Sequence, residues 1–379
     1  MRKDSLLIHG GISFDKNTGA VNVPIYQTST YKQYGIGERG DYEYSRSGNP
    51  TREALEKLIA DLEEGEKGFA FASGLAAITA VLSMFRSGDK ILINNNLYGG
   101  TFRLLDKIFS RFNIEYEIFD DYREIEEKID SRVKAVYVET PTNPLLDIVD
   151  IKKVSEVTKR KGIYLIVDNT FMSPYFQNSI KLGADIVVHS ATKYLGGHSD
   201  LVAGLVVTKG EKIAEEIGFI QNSTGGILQP FDSFLLIRGI RTLGLRMERH
   251  EKNAQFIAEK LDENSFVEKV YYVGLENHVG YEIQKGQASG FGSIISFKLT
   301  ADIDYRKFIK NLKLITFGES LGGVESLLCH PASMTHAAIP KKLRERSGIT
   351  ESLLRLSVGI EDKNDLLEDI LKAIEEAKI

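Results

Sequence analysis

Lys193 stands in the stretch Asp185–Asp200, DIVVHSATKYLGGHSD. There a short apolar run, Ile186-Val187-Val188, reads as a buried strand and gives way to Ser190, Thr192, the lysine and then Gly196-Gly197. Most lysines are solvated surface charges. One placed just beyond the carboxyl end of a strand in an open α/β sheet, however, sits where ligands collect. Partial removal from water disfavours its ammonium form, and the free amine is a nucleophile suited to Schiff-base formation. Asp168 closes the run Tyr164-Leu165-Ile166-Val167, again at the carboxyl end of a strand, ahead of the lysine. An electron-sink cofactor with a pyridinium ring needs a carboxylate at the ring nitrogen and a lysine at the aldehyde carbon. Two adjacent parallel strands joined through Ser173–Gly183 can offer both to one ring. Taken alone, Asp168 would serve equally well as a cap on the turn through Asn169 and Thr170. Taken with Lys193, it points to pyridoxal phosphate.

A phosphate needs its own holder. Gly68–Ala72 is strand-like, Leu75-Ala76-Ala77-Ile78 begins a helix, and Ser73-Gly74 turns between them. Free N–H groups and the dipole at a helix start favour an anion by roughly 0.3–1 kcal/mol. No glycine-rich Walker pattern is present, so a nucleoside triphosphate is not indicated. Tyr44 and Arg46 fall just before a helix opened by Asn49-Pro50, with Glu53 in its first turn and Leu55, Leu58, Ile59 and Leu62 on one face. An arginine fork can clamp a phosphate, but the local pattern around Arg46 favours an ordinary surface pair with a carboxylate.

The elements that must position these residues alternate. Strand candidates at Lys90–Ile93, Glu115–Ile118, Ala135–Val138, Tyr164–Val167, Asp185–Val188 and Gly204–Thr208 are separated by helices that include Phe102–Phe112 and Ile151–Lys161. Such alternation implies a mainly parallel sheet covered on both faces. Tyr98, Thr140 to Asn143, Asp168 and Ser190 cluster at strand ends, as a site at the carboxyl edge requires. From Phe231 to Leu261 the apolar spacing predicts one long helix linking two domains. Strand candidates at Lys269–Val273, Ser293–Phe297 and Leu354–Val358, with a helix over Asn364–Lys378, predict a smaller α/β domain. The first 45 residues contain few periodic elements, and their tyrosines (Tyr31, Tyr34, Tyr42, Tyr44) argue against disorder. This gives an arm over 1–45 reaching onto a neighbouring subunit, a cofactor domain over 46–244 and a small domain over 245–379.

Composition narrows the class. The 379 residues carry 48 basic and 53 acidic side chains, a net charge of −5, with no basic block to follow a nucleic acid. No apolar run has the roughly 18–20 residues of a membrane helix, and MRKDSLLIHGG lacks the apolar core of a signal peptide. The single cysteine, Cys329, excludes an internal disulfide framework, and the seven histidines are too scattered for a metal centre. A cytoplasmic enzyme without metal is expected.

With these stretches assembled, the chain resembles the cystathionine-metabolising, trans-sulfuration group of pyridoxal-phosphate enzymes. The resemblance covers essentially the whole length through YSRSGNPTR, ASGLAAI, NLYGGTFR, ETPTNP, VDNTFMSPYFQ, HSATKYLGGHSD, ESLGGVESL, HPASMTHA and RLSVGIEDKNDL. It implies an aspartate aminotransferase-like α/β fold (fold type I) with a large, mostly parallel seven-stranded sheet. It further implies that Lys193 carries the Schiff base, Asp168 holds the ring nitrogen and Tyr98 stacks on the ring and shuttles a proton. Ser73, Gly74, Leu75, Ser190 and Thr192 would cradle the phosphate. Against the local reading of Arg46, the resemblance makes Tyr44 and Arg46 complete that cradle from the next subunit of a homotetramer, a dimer of dimers. Asn143, Ser320 and Arg355 are expected around the substrate α-carboxylate. Gly100 replaces the cysteine of methionine γ-lyases, while Glu319 and Arg103 match enzymes that handle cystathionine, reading its distal ammonium and carboxylate. Local ion pairs are the alternative for both. The expected activity is α,γ-elimination of L-cystathionine, with homocysteine a second substrate, to cysteine, 2-oxobutanoate and ammonia; γ-synthases and β-lyases share almost every motif.

Overall fold

The computed structural model describes residues 1–11, 14–337 and 341–379. Seven strands, β1 (Lys67–Phe71), β2 (Lys90–Asn94), β3 (Glu115–Phe119), β4 (Val133–Glu139), β5 (Tyr164–Asp168), β6 (Ile186–Ser190) and β7 (Gly204–Thr208), form one sheet in the order β1-β7-β6-β5-β4-β2-β3. All neighbouring pairs are parallel except those of β7, which runs against both β1 and β6. Alternate residues enter two separate cores. Leu165, Val167, Val187 and Val207 pack on one face, and Ile166, Ile186, Val188 and Val206 on the other. Both faces are therefore covered by helices, which explains why these strands read as unbroken apolar runs. The antiparallel β7 leaves that expectation of a mainly parallel sheet intact.

Five further strands, β8 (Val267–Tyr271), β9 (Ile294–Leu299), β10 (Thr316–Phe317), β11 (Leu327–Cys329) and β12 (Leu353–Ser357), make a second sheet ordered β10-β11-β12-β9-β8. It shares a core of Ile257, Leu261, Phe297, Phe308, Leu356 and Ile370 with the helices over Leu243–Asp262 and Lys363–Glu375. β10 and β11 were absent from the sequence expectation because two or three residues show no period.

Three local differences have physical causes. The single helix expected over 231–261 is two, Pro230–Ile240 and Leu243–Asp262. At the joint, Thr242 N–H bonds to Gly239 O, an i→i+3 closure that tightens the last turn and turns the chain. Each half keeps the same apolar spacing, so periodicity alone could not reveal the break. The helix expected over Phe102–Phe112 runs over Gly99–Lys107 and is followed by a 3₁₀ turn at Phe109–Phe112. Within the first 45 residues, Lys3–His9 is helical and buries Leu7 against its own chain; seven residues are too few to show a convincing period. The capping signals were followed closely. Asn49 accepts from Thr51 N–H and Arg52 N–H with Pro50 at the first helical position, and Ser73 accepts from Ala76 N–H. Among the described residues no helix is long and apolar enough to cross a membrane, and no group of three or more His, Cys, Asp or Glu could hold a metal ion.

Candidate active site

A cavity of about 290 Å³ opens at the carboxyl ends of β4, β5 and β6. It is lined by Ser73, Gly74, Leu75, Tyr98, Asn143, Asp168, Ser190, Thr192, Lys193, Glu319, Ser320 and Arg355. The fold thus brings together every sequence-predicted site residue except Tyr44, Arg46 and Arg103.

Lys193 follows β6 in a turn whose N–H bonds back to Ser190 O. Its Nζ donates to Ser320 Oγ at 2.8 Å. Burial, helped by the Arg355 guanidinium, lowers its pKa to about 8, with Glu319 and Cys329 pulling the other way. Ser320 itself has φ 96°, a conformation that side-chain-bearing residues seldom adopt. The surrounding contacts hold it there: Arg355 Nη2 donates to Ser320 O at 2.9 Å and Arg355 Nη1 to Asn143 Oδ1 at 2.9 Å. Arg355 lies on β12, is 1% exposed, and pairs with no carboxylate among the described residues. Its Nε–H is buried without a partner. A buried guanidinium without a carboxylate partner has the charge and the fork geometry to receive a planar anion such as a carboxylate.

Asp168 ends β5. Its Oδ1 accepts from Thr170 N–H at 3.1 Å and Thr170 Oγ1–H at 2.5 Å, and its Oδ2 from the Tyr137 phenol at 3.2 Å. Burial pushes this carboxyl up, while the Thr170 bonds and the nearby His189 act in the opposite direction. The turn-capping bond through Thr170 and a place on the cavity wall therefore coexist in one side chain. At the other end of the cavity, Ser73 caps the helix Gly74–Leu82. Among the described residues no acceptor meets the N–H of Gly74 or Leu75. Thr192 Oγ1 is already engaged with Ala203, donating to its O and accepting from its N–H. The turn is tightly backed: a Cβ at Gly204 would lie 2.1 Å from Ser73 O.

The remaining three residues lie elsewhere. Arg46 Nη1 donates to Asn222 O at 2.6 Å and Asn222 Oδ1 at 2.9 Å, and its guanidinium lies over the Tyr44 ring. Its partner is an amide, not the carboxylate that the local pattern favoured. Arg103 is on the solvent face of Gly99–Lys107 and stays outside the cavity, because the buried positions of that helix are Gly99, Gly100, Thr101 and Leu105. Glu139, in contrast, lines the cavity without having been singled out. Its signal was available: it closes a strand candidate inside ETPTNP and stands in register with Asp168.

One amine of lowered basicity, two buried carboxylates, free N–H donors at a helix start and a buried guanidinium without a carboxylate partner fit an amino-acid substrate and a phosphorylated pyridine aldehyde. Fold and site together define a Schiff-base enzyme of the α/β type. Cys/Met metabolism PLP-dependent enzymes match residues 4–375, and the chain belongs to that family, with pyridoxal phosphate as its cofactor. A cystathionine beta-lyase of Lactococcus lactis subsp. cremoris (strain MG1363) is 58% identical over 371 residues, 97% of this chain and 98% of that protein. A cystathionine gamma-lyase of Bacillus subtilis (strain 168) is 55% identical over 377 residues, covering 99% and 100%. The crystal structure of cystathionine gamma-lyase from Lactobacillus plantarum complexed with L-serine superposes with a TM-score of 0.98 at 49% identity, over 100% of this chain and 99% of that one. The chain is accordingly a pyridoxal-phosphate-dependent enzyme of Cys/Met metabolism, of α/β architecture with a large seven-stranded mixed sheet and a smaller second one.

Proposed function

We propose that the enzyme cleaves L-cystathionine, and L-homocysteine as a second substrate, by α,γ-elimination to L-cysteine (hydrogen sulfide from homocysteine), 2-oxobutanoate and ammonia. The observation that carries this reading is the buried, acid-free Arg355 on one side of Ser320 and the Lys193 amine on the other. Together they give an α-amino acid a carboxylate anchor and a base within one cavity. When bound, pyridoxal phosphate supplies an electron sink that makes a carbanion at the substrate α-carbon accessible.

The chain's own residues do the rest. Lys193 Nζ would hold the aldehyde carbon and, as a free amine, would take the α-proton; burial, which lowers its pKa to about 8, favours that free amine. Asp168, buried on the cavity wall, would hold the ring nitrogen of the cofactor and favour its protonated form. Gly74 and Leu75 N–H, with the Ser73 and Ser190 hydroxyls, receive the phosphate. Tyr98, on the cavity wall, would stack on the cofactor ring and would give a proton to the departing sulfur. Gly100 makes room for the Tyr98 side chain itself, since a Cβ there would lie 2.4 Å from Tyr98 Cε1. Arg355 and Asn143 orient the α-carboxylate, and Glu319 receives the distal ammonium of cystathionine. Arg103, exposed outside the cavity, is given no step. Tyr44 and Arg46 act from a neighbouring subunit in a homotetramer of two dimers with shared sites, so an isolated monomer has an incomplete phosphate holder. The arm over 1–45 and the domains over 46–244 and 245–379 are the units of that assembly.

The test is the product from cystathionine as sole substrate. 2-Oxobutanoate with cysteine supports this reading; pyruvate with homocysteine assigns β-elimination. Net cystathionine synthesis from an O-acylhomoserine and cysteine, with little cleavage, assigns γ-replacement.

A further inference from the structure

Glu139 ends β4 beside Asp168 on β5 and is 5% exposed. No cation is bonded to it among the described residues. Its two oxygens go instead to main-chain donors from two different loops: Oε2 accepts from Tyr98 N–H at 2.8 Å and Oε1 from Asn143 N–H at 3.0 Å. Its own backbone is bolted to β2, with Asn94 Oδ1 accepting from Glu139 N–H at 2.9 Å and Asn94 Nδ2 donating to Glu139 O at 3.0 Å. The carboxylate is thus fixed from below and ties down two loops from above.

Asn143 is the more constrained of the two. Its N–H is held by Glu139, its O accepts from His336 Nε2 at 3.1 Å, and its Oδ1 accepts from Arg355. Burial and the Arg355 charge hold His336 neutral, with a pKa of about 4, so a single Nε2–H donor with Nδ1 facing the Thr335 hydroxyl is self-consistent. With both oxygens of Asn143 occupied, its Nδ2–H groups are what remain for a ligand. Two main-chain donors need two acceptors, which a carboxylate supplies and an amide does not. Holding a carboxylate here is costly: burial, then the neighbouring Asp168, push the Glu139 carboxyl well above the usual range.

We propose that Glu139 is a positioning residue that locks Tyr98 and Asn143 into one unit, and so fixes the Asn143–Arg355 pair that reads the substrate carboxylate. The inference rests on the assignment of that pair made above.

The test compares wild-type holoenzyme with Glu139→Gln, Glu139→Asp and Asn143→Ala. Binding of L-alanine and of methylamine is followed through the visible absorbance of the cofactor, and cofactor retention through equilibrium dialysis. Methylamine shares the amine but has no carboxylate. Losing one of two buried acceptors predicts an L-alanine affinity about ten-fold weaker in Glu139→Gln, with methylamine changed by less than about two-fold. Glu139→Gln added to Asn143→Ala should cost less than about two-fold more, because the effects share one route. A general loss of structure would weaken both ligands together. A folded Glu139→Gln whose alanine-to-methylamine ratio stays within about two-fold of wild type overturns the proposal. Should that variant not fold, an unchanged ratio in Glu139→Asp, which keeps the charge but not the reach, overturns it equally. A wild type that does not prefer L-alanine over methylamine would instead refute the assignment of Asn143 and Arg355 to the carboxylate.

Discussion

Replacing Lys193 with methionine in the cofactor-free enzyme should stabilise the fold at neutral pH and lose that advantage in alkali. A lysine whose pKa falls from 10.5 to about 8 on folding is carried as a buried ammonium at a cost of about 3 kcal/mol wherever it is charged in both states. Methionine of similar length removes that cost but also the bond from Nζ to Ser320 Oγ, worth about 1 kcal/mol. The net gain at pH 7 is about 2 kcal/mol. Scaled to the unfolding entropy of a chain of 379 residues, that is a rise in Tm of about 2–3 °C. The sign follows from proton counting. Between pH 8 and 10.5 the unfolded chain binds the proton that the folded wild type has shed, so wild-type stability climbs with pH over that window. The variant's advantage therefore shrinks across it. Thermal unfolding of both cofactor-free proteins from pH 6 to pH 10.5 reads the difference. Labelling of the wild-type amine, followed on the Lys193 peptide by mass spectrometry, should turn on with a midpoint near 8. A variant no more stable than wild type at pH 7, with a labelling midpoint at the ordinary lysine value, would refute the account of Lys193 as a desolvated amine.

Arg355→Ala should lower kcat/KM for cystathionine by about 30- to 150-fold, the loss of a charge-assisted hydrogen bond to the substrate, with Arg355→Lys recovering only part of it; steady-state kinetics decide. Gly204→Ala would place a Cβ 2.1 Å from Ser73 O and 2.8 Å from Gly74 N, so the turn must shift, and the dissociation constant for pyridoxal phosphate in equilibrium dialysis should rise by about ten-fold. Arg246 is a buried guanidinium donating to Tyr194 O, Gly239 O and Thr242 Oγ1, immediately behind the segment that follows Lys193. Arg246→Met strands two carbonyls and should lower stability by about 2–4 kcal/mol, a fall in Tm of about 3–5 °C by calorimetry.

Much of this protein is written locally. The α/β alternation, the caps at Asn49 and Ser73 and the carboxyl-end placement of Asp168 and Lys193 all arise from period, capping chemistry and strand length within a few residues of one another. The sequence alone therefore determined the sheet and the approach of Asp168 to Lys193, since parallel neighbours β5 and β6 bring the ends of successive strands together. Tertiary structure decided what depends on distant partners. Arg46 found Asn222, 176 positions away, and not the carboxylate that its local pattern favoured. Glu139 was an unremarked strand end until Tyr98, 41 positions earlier, gave it an N–H to hold. Arg355, by pattern an ordinary strand residue of β12, joined the cavity wall only when the second sheet set it against Asn143 and Ser320. A hydrogen bond between residues far apart in the chain leaves no periodic trace. Burial then decides its consequences, because the same bond is worth little in water and much where no solvent can replace it.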